Sequence, residues 1–425
     1  MKLLHLKIFI AVWAAIMLVS FWVPKELLTA HLYSSRVMNW ATFLWICSCF
    51  LAFWMGTFIE RSLYAGNSVS DASKNQMPLV TIDKLERILK TFKGLLLLVS
   101  TVILIRVVWC IIKVGSLNDT FLFAITKPNE FKFDIWQQTT IHGMGAVSDI
   151  IVGCTIFAFA LFALMKKYRS DKTPNFESGF DDTKIQAYFR TSLKFLILSI
   201  SALAFYSILS NERVALVMGF LGGSLVYLLL LRRFPIRSLI YISILLLVVW
   251  VVVEGARRQY FGTETLGFIL EYVKNRLLLY LMSGLRNVDT VVNYITDHTY
   301  GWYSFNFILV ALKFDFLSSI NKNFYGFTAT KVVPGFAAIP VFGTAYADFG
   351  LAALLYFVVI GFIYQRLYRR AVLENSFLAL QLYAFFLVAL IVSFMPFLPT
   401  LARFWVNVLT LVVINKSLRL SLRDR

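Results

Sequence analysis

The fold of this chain is indicated first by one apolar stretch, residues 94–114, with the sequence GLLLLVSTVILIRVVWCIIKV. A continuous apolar run of about 20 residues is long enough to cross the hydrocarbon core of a bilayer as a helix. Within this run, only Arg106 and Lys113 are charged. The stretch therefore predicts a membrane-spanning helix that carries a buried arginine near its middle.

Similar apolar runs recur along the chain and predict about ten membrane-spanning helices. We place them at 6–23, 38–58, 94–114, 144–165, 191–209, 214–231, 238–253, 346–365, 376–395 and 401–415. The composition agrees, because 59% of the 425 residues are hydrophobic, only 15% are charged, and the mean hydropathy is +0.74. Globular domains carry roughly 25% charged residues. The predicted fold class is therefore an all-α polytopic membrane protein, and a cytosolic enzyme, a disordered chain and a small secreted scaffold are excluded.

The net charge of +18 is explained by topology rather than by a nucleic-acid partner. Lysine and arginine concentrate in the cytoplasmic loops of membrane proteins. Alternate predicted loops are short and strongly basic, and they indicate that both termini are cytoplasmic. Their basic residues are Lys166, Lys167 and Arg169, then Arg232, Arg233 and Arg237, then Arg366, Arg369 and Arg370. No nucleic-acid partner is expected.

One predicted external segment is much longer than the others. It divides the chain into residues 1–253 with seven spans, the large external loop 254–345, and residues 346–425 with the last three spans and a cytoplasmic tail. Helical spacing of apolar residues in this loop predicts an amphipathic helix at the membrane interface. These residues are Leu266, Ile269, Leu270, Val273 and Leu277. Two additional crossings within the loop would leave the C-terminal orientation unchanged, so the charges do not exclude them.

The sequence lacks the common motifs for nucleotide and metal chemistry. It contains no GxxxxGK[ST] phosphate loop, no HExxH and no cysteine–histidine cluster with zinc spacing. Cys47, Cys49, Cys110 and Cys154 all lie in apolar runs, where they are expected to pack as small apolar residues. We therefore expect no metal and no cofactor, and a substrate that is already activated and already in the membrane.

Arginines at the external side are the main candidates for a site. Positive charge is disfavoured near external span ends, and arginine suits bidentate recognition of phosphate. We expect a lipid-linked diphosphate to be bound by Arg213, Arg257, Arg258, Arg276, Arg286 and Arg403. Arg106 is a further candidate because it lies at membrane depth, although an internal partner on a neighbouring helix would also explain it. The candidates for a general base are His298, Asp289 and Glu254.

Three local motifs accompany this layout. Ser210-Asn211-Glu212-Arg213 forms a short external turn that ends in arginine. Tyr280-Leu281-Met282-Ser283-Gly284, followed by Asp289, lies in the large loop, and Ala345-Tyr346-Ala347-Asp348-Phe349-Gly350 opens the next span. In layout and in these motifs the chain resembles the O-antigen polymerases, also called Wzy-type oligosaccharide repeat-unit polymerases. Glu212 departs from the small residue that this family usually has before the turn arginine.

The resemblance implies a glycosyltransferase in the bacterial inner membrane. The donor would be a growing glycan on undecaprenyl diphosphate, the acceptor a repeat unit on the same lipid, and a chain-length regulator a partner protein. It adds Tyr280 and Asp348 to the candidate site residues, although an acid at the start of a helix is also stabilised by the helix dipole. Two alternatives stay open. They are an O-antigen ligase, which His298 in the large loop suits, and a flippase or transporter of lipid-linked oligosaccharide, which Arg106 suits.

Overall fold

The structure is a computed structural model of the whole chain. It describes residues 4–20, 23, 37–64, 82–127, 130–138, 144–170, 182–210, 213–231, 265–305, 339–374, 376–393 and 402–417. These residues form helices and turns, and no strand occurs among them.

The described helices are numbered here in chain order. They are α1 (Leu4–Ser20), α2 (Trp40–Leu63), α3 (Ile82–Val114), α4 (Leu117–Thr126), α5 (Met144–Asp149), α6 (Ile151–Ser170), α7 (Asp182–Leu209), α8 (Arg213–Leu230), α9 (Leu266–Tyr294), α10 (Val341–Phe349), α11 (Ala353–Tyr368), α12 (Phe377–Ile391) and α13 (Ala402–Ser417). Two π-helical segments, Phe131–Trp136 and Arg369–Leu373, and a 3-10 turn, Gly350–Ala352, complete the described elements.

The described part of the chain has the character of a helical membrane protein. Five of its helical segments are long and apolar enough to cross a membrane: Trp40–Leu63, Leu85–Val114, Val147–Arg169, Thr183–Leu209 and Val341–Val372. Leu4–Ser20, Val214–Leu230 and Phe377–Ile391 are shorter apolar helices. The predicted span at 238–253 lies outside the described residues. The other predicted spans coincide with helices, and the total of about ten stays a prediction.

Local sequence explains where several helices begin and end. Asn39 caps α2, because its side-chain oxygen accepts a hydrogen bond from the Thr42 amide at 2.9 Å. Gly115 follows α3 at φ 109°, a left-handed conformation that suits glycine at a helix C-terminus. Pro340 occupies the N-cap of α10. Since α10 already begins at Val341, Asp348 lies in its last turn, and the sequence-based expectation of an acid at a helix start is wrong for this residue.

The chain separates into two compact units. Unit 1 comprises residues 1–71, 274–369 and 386–405, and unit 2 comprises residues 72–273, 370–385 and 406–425. The core of unit 1 is aromatic. The ring of Phe342 in α10 lies 4.7 Å from Trp13, 5.6 Å from Phe9 and 5.4 Å from Phe357, measured between ring centroids. Phe342 therefore connects α1 and α11 through α10.

Helices α2 and α11 approach each other at two glycines in unit 1. A Cβ at Gly56 would lie 1.9 Å from the carbonyl oxygen of Val358, and a Cβ at Gly361 would lie 2.1 Å from the carbonyl oxygen of Phe53. Small residues permit such close approach in membranes, where apolar burial alone does not drive helices together. Only glycine therefore fits at both positions.

Unit 1 has two chemically different ends, which the parallel helices α2 and α11 connect. At one end, which we call the Glu60 end, Glu60 is fully buried and accepts a 2.8 Å hydrogen bond from Arg369 Nε. The guanidinium of Arg369 also lies 3.9 Å from the ring centroid of Tyr64. The opposite end holds Asp289 and is described below as the Asp289 end.

In unit 2, α6 is the most enclosed of the apolar helices, with 78% of its apolar window buried. It packs against α7 and α8. Gly223 in α8 lies against the ring of Phe159, since a Cβ there would come within 2.1 Å of that ring. Gly153 donates its amide to the side chain of Asn407 at 2.7 Å.

The segment predicted as a long loop contains a helix where the sequence predicted one, and most of the buried residues of this helix lie in its second half. α9 continues to Tyr294, and Leu270 is 49% exposed. The fully buried positions belong to the second half of the helix: Met282, Leu285, Val288 and Val291. Val273 of the predicted stripe is buried and Leu270 is exposed, so the stripe marks the helix but only part of its buried face.

Candidate functional site

Asp289 is a buried acceptor at the C-terminal half of α9. Its carboxylate accepts hydrogen bonds from the backbone amide of Asn39 at 2.8 Å, from Thr42 Oγ1 at 2.7 Å and from Arg286 Nη1 at 2.7 Å. Asn293 Nδ2 lies 3.2 Å away as a fourth donor. These donors occupy both oxygens of the carboxylate, so Asp289 is a poor candidate for the general base.

Arg286 is the arginine that the structure brings to this centre. It pairs with Asp289 three residues further along the helix, and its side chain keeps 22% of its surface exposed, against 7% for Asp289. Only Nη1 is used in the described contact with the carboxylate. The exposed part of the guanidinium is therefore available to an anion that approaches the Asp289 end.

Asp348 binds a loop in the way that Asp289 binds a helix start. It is fully buried, and its carboxylate accepts the amides of Tyr303 at 3.0 Å and Ser304 at 2.8 Å. The hydroxyls of Thr299 and Ser304 donate to the same carboxylate. Backbone bonds add to the attachment, from the Thr299 amide to the Ala347 carbonyl and from the Tyr300 amide to the Asp348 carbonyl. Residues 299–304, which we call the clamped loop, are therefore fixed on the last turn of α10.

His298 precedes the clamped loop and is half-buried. Its ring lies 5.7 Å from the ring of Tyr346 in an edge-on arrangement. Its Nδ1 is buried and has no hydrogen-bond partner in the described part of the chain. Of the two candidate bases that the structure describes, His298 has a ring nitrogen without a partner, whereas the Asp289 carboxylate accepts four hydrogen bonds.

A small apolar cluster joins these groups into one site within unit 1. Val291 of α9 packs with Ile339 and Ala347, and Tyr346 lies against this cluster. Tyr346 also contacts the ring of Trp45 in α2 at 5.1 Å. Trp45 follows Thr42 by one turn of α2. The Asp289 centre, His298 and the clamped loop therefore belong to the same end of unit 1.

The other sequence-predicted residues occupy different places. Arg276 lies on α9 ten residues before Arg286, about 15 Å along the helix, with its guanidinium 5.4 Å from the ring centroid of Tyr280. Arg403 is in the first turn of α13 and half-buried, and Arg213 begins α8. Glu254, Arg257 and Arg258 lie outside the described residues.

Arg106 belongs to a network inside unit 2. It is 2% exposed, donates to Ser148 Oγ at 3.1 Å and to the Trp136 carbonyl at 3.3 Å, and stacks 3.7 Å from the Trp136 ring centroid. The Tyr206 hydroxyl donates a hydrogen bond to Asp149, and the negative charge of Asp149 attracts the guanidinium of Arg106. The internal partner considered for Arg106 from the sequence is therefore present.

Sequence reasoning missed the residues that build the site around the charges. Asn39 and Thr42 hold Asp289, whereas Thr299 and Ser304 hold Asp348. The signals were weak, because the pairs are separated by more than 40 residues and short polar residues in loops are common. The Asn39-x-x-Thr42 cap was the one local signal available.

No protein-family model, curated protein or solved structure matches this chain. What the fold and the site define is therefore a class: an all-helical chain with membrane-spanning character. Within it, one unit places an arginine, two buried carboxylates and a histidine at one helical end.

Proposed function

We propose that the protein is a membrane glycosyltransferase that polymerises lipid-linked oligosaccharide repeat units. The donor would be a glycan on undecaprenyl diphosphate, and the acceptor a repeat unit on the same carrier. The observation that carries the proposal is the arrangement at the Asp289 end. There, the partly exposed Arg286 is aligned by Asp289, and His298 contacts Tyr346, which packs on the same apolar cluster as Val291 of α9.

This arrangement suits glycosyl transfer from a diphosphate. An acceptor hydroxyl attacks the anomeric carbon, the C–O bond to the diphosphate breaks, and the hydroxyl proton passes to a base. Arg286 would stabilise the negative charge that develops on the departing diphosphate, and His298 would take the proton. No nucleotide and no cofactor take part, since the diphosphate is itself the leaving group.

The charges of unit 1 support an external site. The Glu60 end carries Arg61, Arg366 and Arg369, as cytoplasmic segments do. The Asp289 end carries Asp289, Asp297 and Asp348 beside Arg286. An Asp289 end outside the bacterial inner membrane would meet lipid-linked units on that face. Both termini would be cytoplasmic, and a chain-length regulator would be a partner.

Deletion of the gene and electrophoresis of the surface polysaccharide tests the function. We expect single-unit glycans attached to the lipid A core and no long chains. Unchanged long chains would overturn the proposal. Complementation with Arg286→Gln should then fail to restore long chains at normal membrane levels, whereas Lys274→Gln, an exposed control on the same helix, should restore them.

An O-antigen ligase is the second candidate, because a transferase to the lipid A core would use the same His298, with its Nδ1 unpartnered among the described residues, as the base. The same deletion separates the candidates. A lost ligase leaves long glycan on the lipid carrier outside the membrane, and a lost flippase leaves single units inside.

A further inference from the structure

Tyr300 has an unusual backbone conformation. Its φ is 51°, and it is the one non-glycine residue with positive φ in the part of the chain that the structure describes. Residues with a side chain avoid this region because the Cβ approaches the backbone too closely. Such conformations persist only where the surrounding structure enforces them, and they concentrate at functional sites.

The surroundings of Tyr300 do enforce it. The Tyr300 amide donates to the Asp348 carbonyl at 2.8 Å, and Thr299 before it is bound to Ala347 and to the Asp348 carboxylate. Gly301 follows at φ 90°, and a Cβ there would lie 3.1 Å from the ring of Phe349. The backbone on both sides of Tyr300 is thus fixed by α10.

The fixed backbone does not bring the side chain of Tyr300 into contact with the described part of the protein. It is 78% exposed, and neither its ring nor its hydroxyl has a partner among the described residues. Exposure of an aromatic ring does not need a strained backbone, since Tyr294 is 60% exposed at the end of an ordinary helix. The conformation of Tyr300 therefore serves the direction in which its ring is presented.

We propose that Tyr300 is a sugar-stacking residue, whose ring packs against the C–H face of one pyranose ring of the bound glycan. A phenol ring offers a flat apolar surface and a hydroxyl that can bond to a neighbouring sugar hydroxyl. The clamped loop fixes the backbone of Tyr300 before binding, so no backbone freedom is lost when the glycan binds. This inference rests on the proposed glycosyl transfer, and it assigns a subsite to the oligosaccharide rather than to the diphosphate.

The test uses the purified full-length protein in detergent. The probe is the oligosaccharide that mild acid releases from the lipid carrier accumulated by the deletion strain. Tyr300→Asn tolerates the left-handed backbone but removes the ring, and we expect affinity to fall on the order of tenfold. Tyr300→Phe and Tyr300→Trp should bind within about threefold of the unmodified protein. Tyr294→Asn is the matched control and should bind normally.

Each outcome has one meaning. Normal binding by Tyr300→Asn overturns the inference while the polymerase function stands, provided that the unmodified gene restores long chains to the deletion strain. Equal losses of membrane-embedded protein in Tyr300→Asn and Tyr294→Asn, with normal affinity of the remainder, make Tyr300 an interface anchor and also overturn it. A deletion strain with unchanged polysaccharide removes the proposed function and the subsite together.

Discussion

The imidazole of His298 lies directly over Gly350. A Cβ built on Gly350 would come within 2.6 Å of His298 Nε2 and within 3.0 Å of Cε1. Gly350 also has a φ of 55° where α10 ends, so both its conformation and its missing side chain are required. The position of the candidate base is therefore set by a glycine on a different segment of the chain.

Replacement of Gly350 by alanine should displace His298. We expect the free energy of unfolding to fall by about 1–2 kcal/mol from the left-handed backbone alone, and the rate of polymerisation to fall further because the ring must move. Gly94→Ala is the control, since a Cβ there meets nothing within 4 Å and the residue lies inside α3. Chain length on gels and thermal unfolding in detergent measure the two effects. Full activity in Gly350→Ala would contradict the role of His298.

Replacement of Asp348 by asparagine should release the clamped loop. One oxygen that now accepts an amide and a hydroxyl becomes an NH₂ group facing those donors. An unsatisfied buried polar group costs about 1–3 kcal/mol. We expect faster hydrogen exchange at residues 299–304, and no such change in Asp297→Asn, where the carboxylate is exposed. Unchanged exchange in Asp348→Asn would show that the backbone bonds alone hold the loop.

Substitutions of Arg286 and Asp289 should have different effects: the first should lower the rate, and the second should lower the stability. Arg286→Gln leaves the Asp289 carboxylate with the donors from Asn39, Thr42 and Asn293, so we expect a near-normal free energy of unfolding. We expect the rate of the proposed glycosyl transfer to fall by about 10²–10³, because one charge-stabilising donor is lost. Asp289→Asn should instead lower the free energy of unfolding, because its new amide faces Arg286. Arg286→Lys should lie between Arg286→Gln and the unmodified protein in rate. A lower free energy of unfolding in Arg286→Gln, with a normal transfer rate, would show that Arg286 is only a structural partner of Asp289.

Arg106 should matter for folding and not for the chemical step. It is buried with Ser148 and Trp136, and removal of one partner from a buried charge network costs about 3–5 kcal/mol. We expect Arg106→Met to lower the amount of protein in the membrane, whereas Lys113→Met, an exposed control on α3, should not. Normal membrane levels with lost activity in Arg106→Met would instead favour a role in transport or substrate passage.

The positions of the helices could largely be predicted from the sequence. Apolar length is a local property, so runs such as 94–114 and 191–209 mark their helices without knowledge of any partner. The residues at which the helices begin were harder to predict. α3 extends to Ile82 and α7 to Asp182, because polar residues continue a helix beyond the apolar run once the run has formed it.

The candidate site was proposed from ionisable residues alone. Arg286 was identified from its charge on the predicted external side, His298 and Asp289 from acid–base chemistry, and Asp348 from the family resemblance. Their arrangement depends on contacts across the chain, such as those of Asp289 with Asn39 and of Asp348 with Thr299. The left-handed turn at Tyr300 carries no sequence signal of its own, since tyrosine rarely adopts it.

The crossing of α2 and α11 has a mechanical consequence. At Gly56 and Gly361 the two backbones are in contact, so neither helix can slide past the other without a collision of main-chain atoms. The crossing therefore fixes the axial register of the two helices, and with it the separation between the Arg369–Glu60 pair and the Trp45–Tyr346 contact.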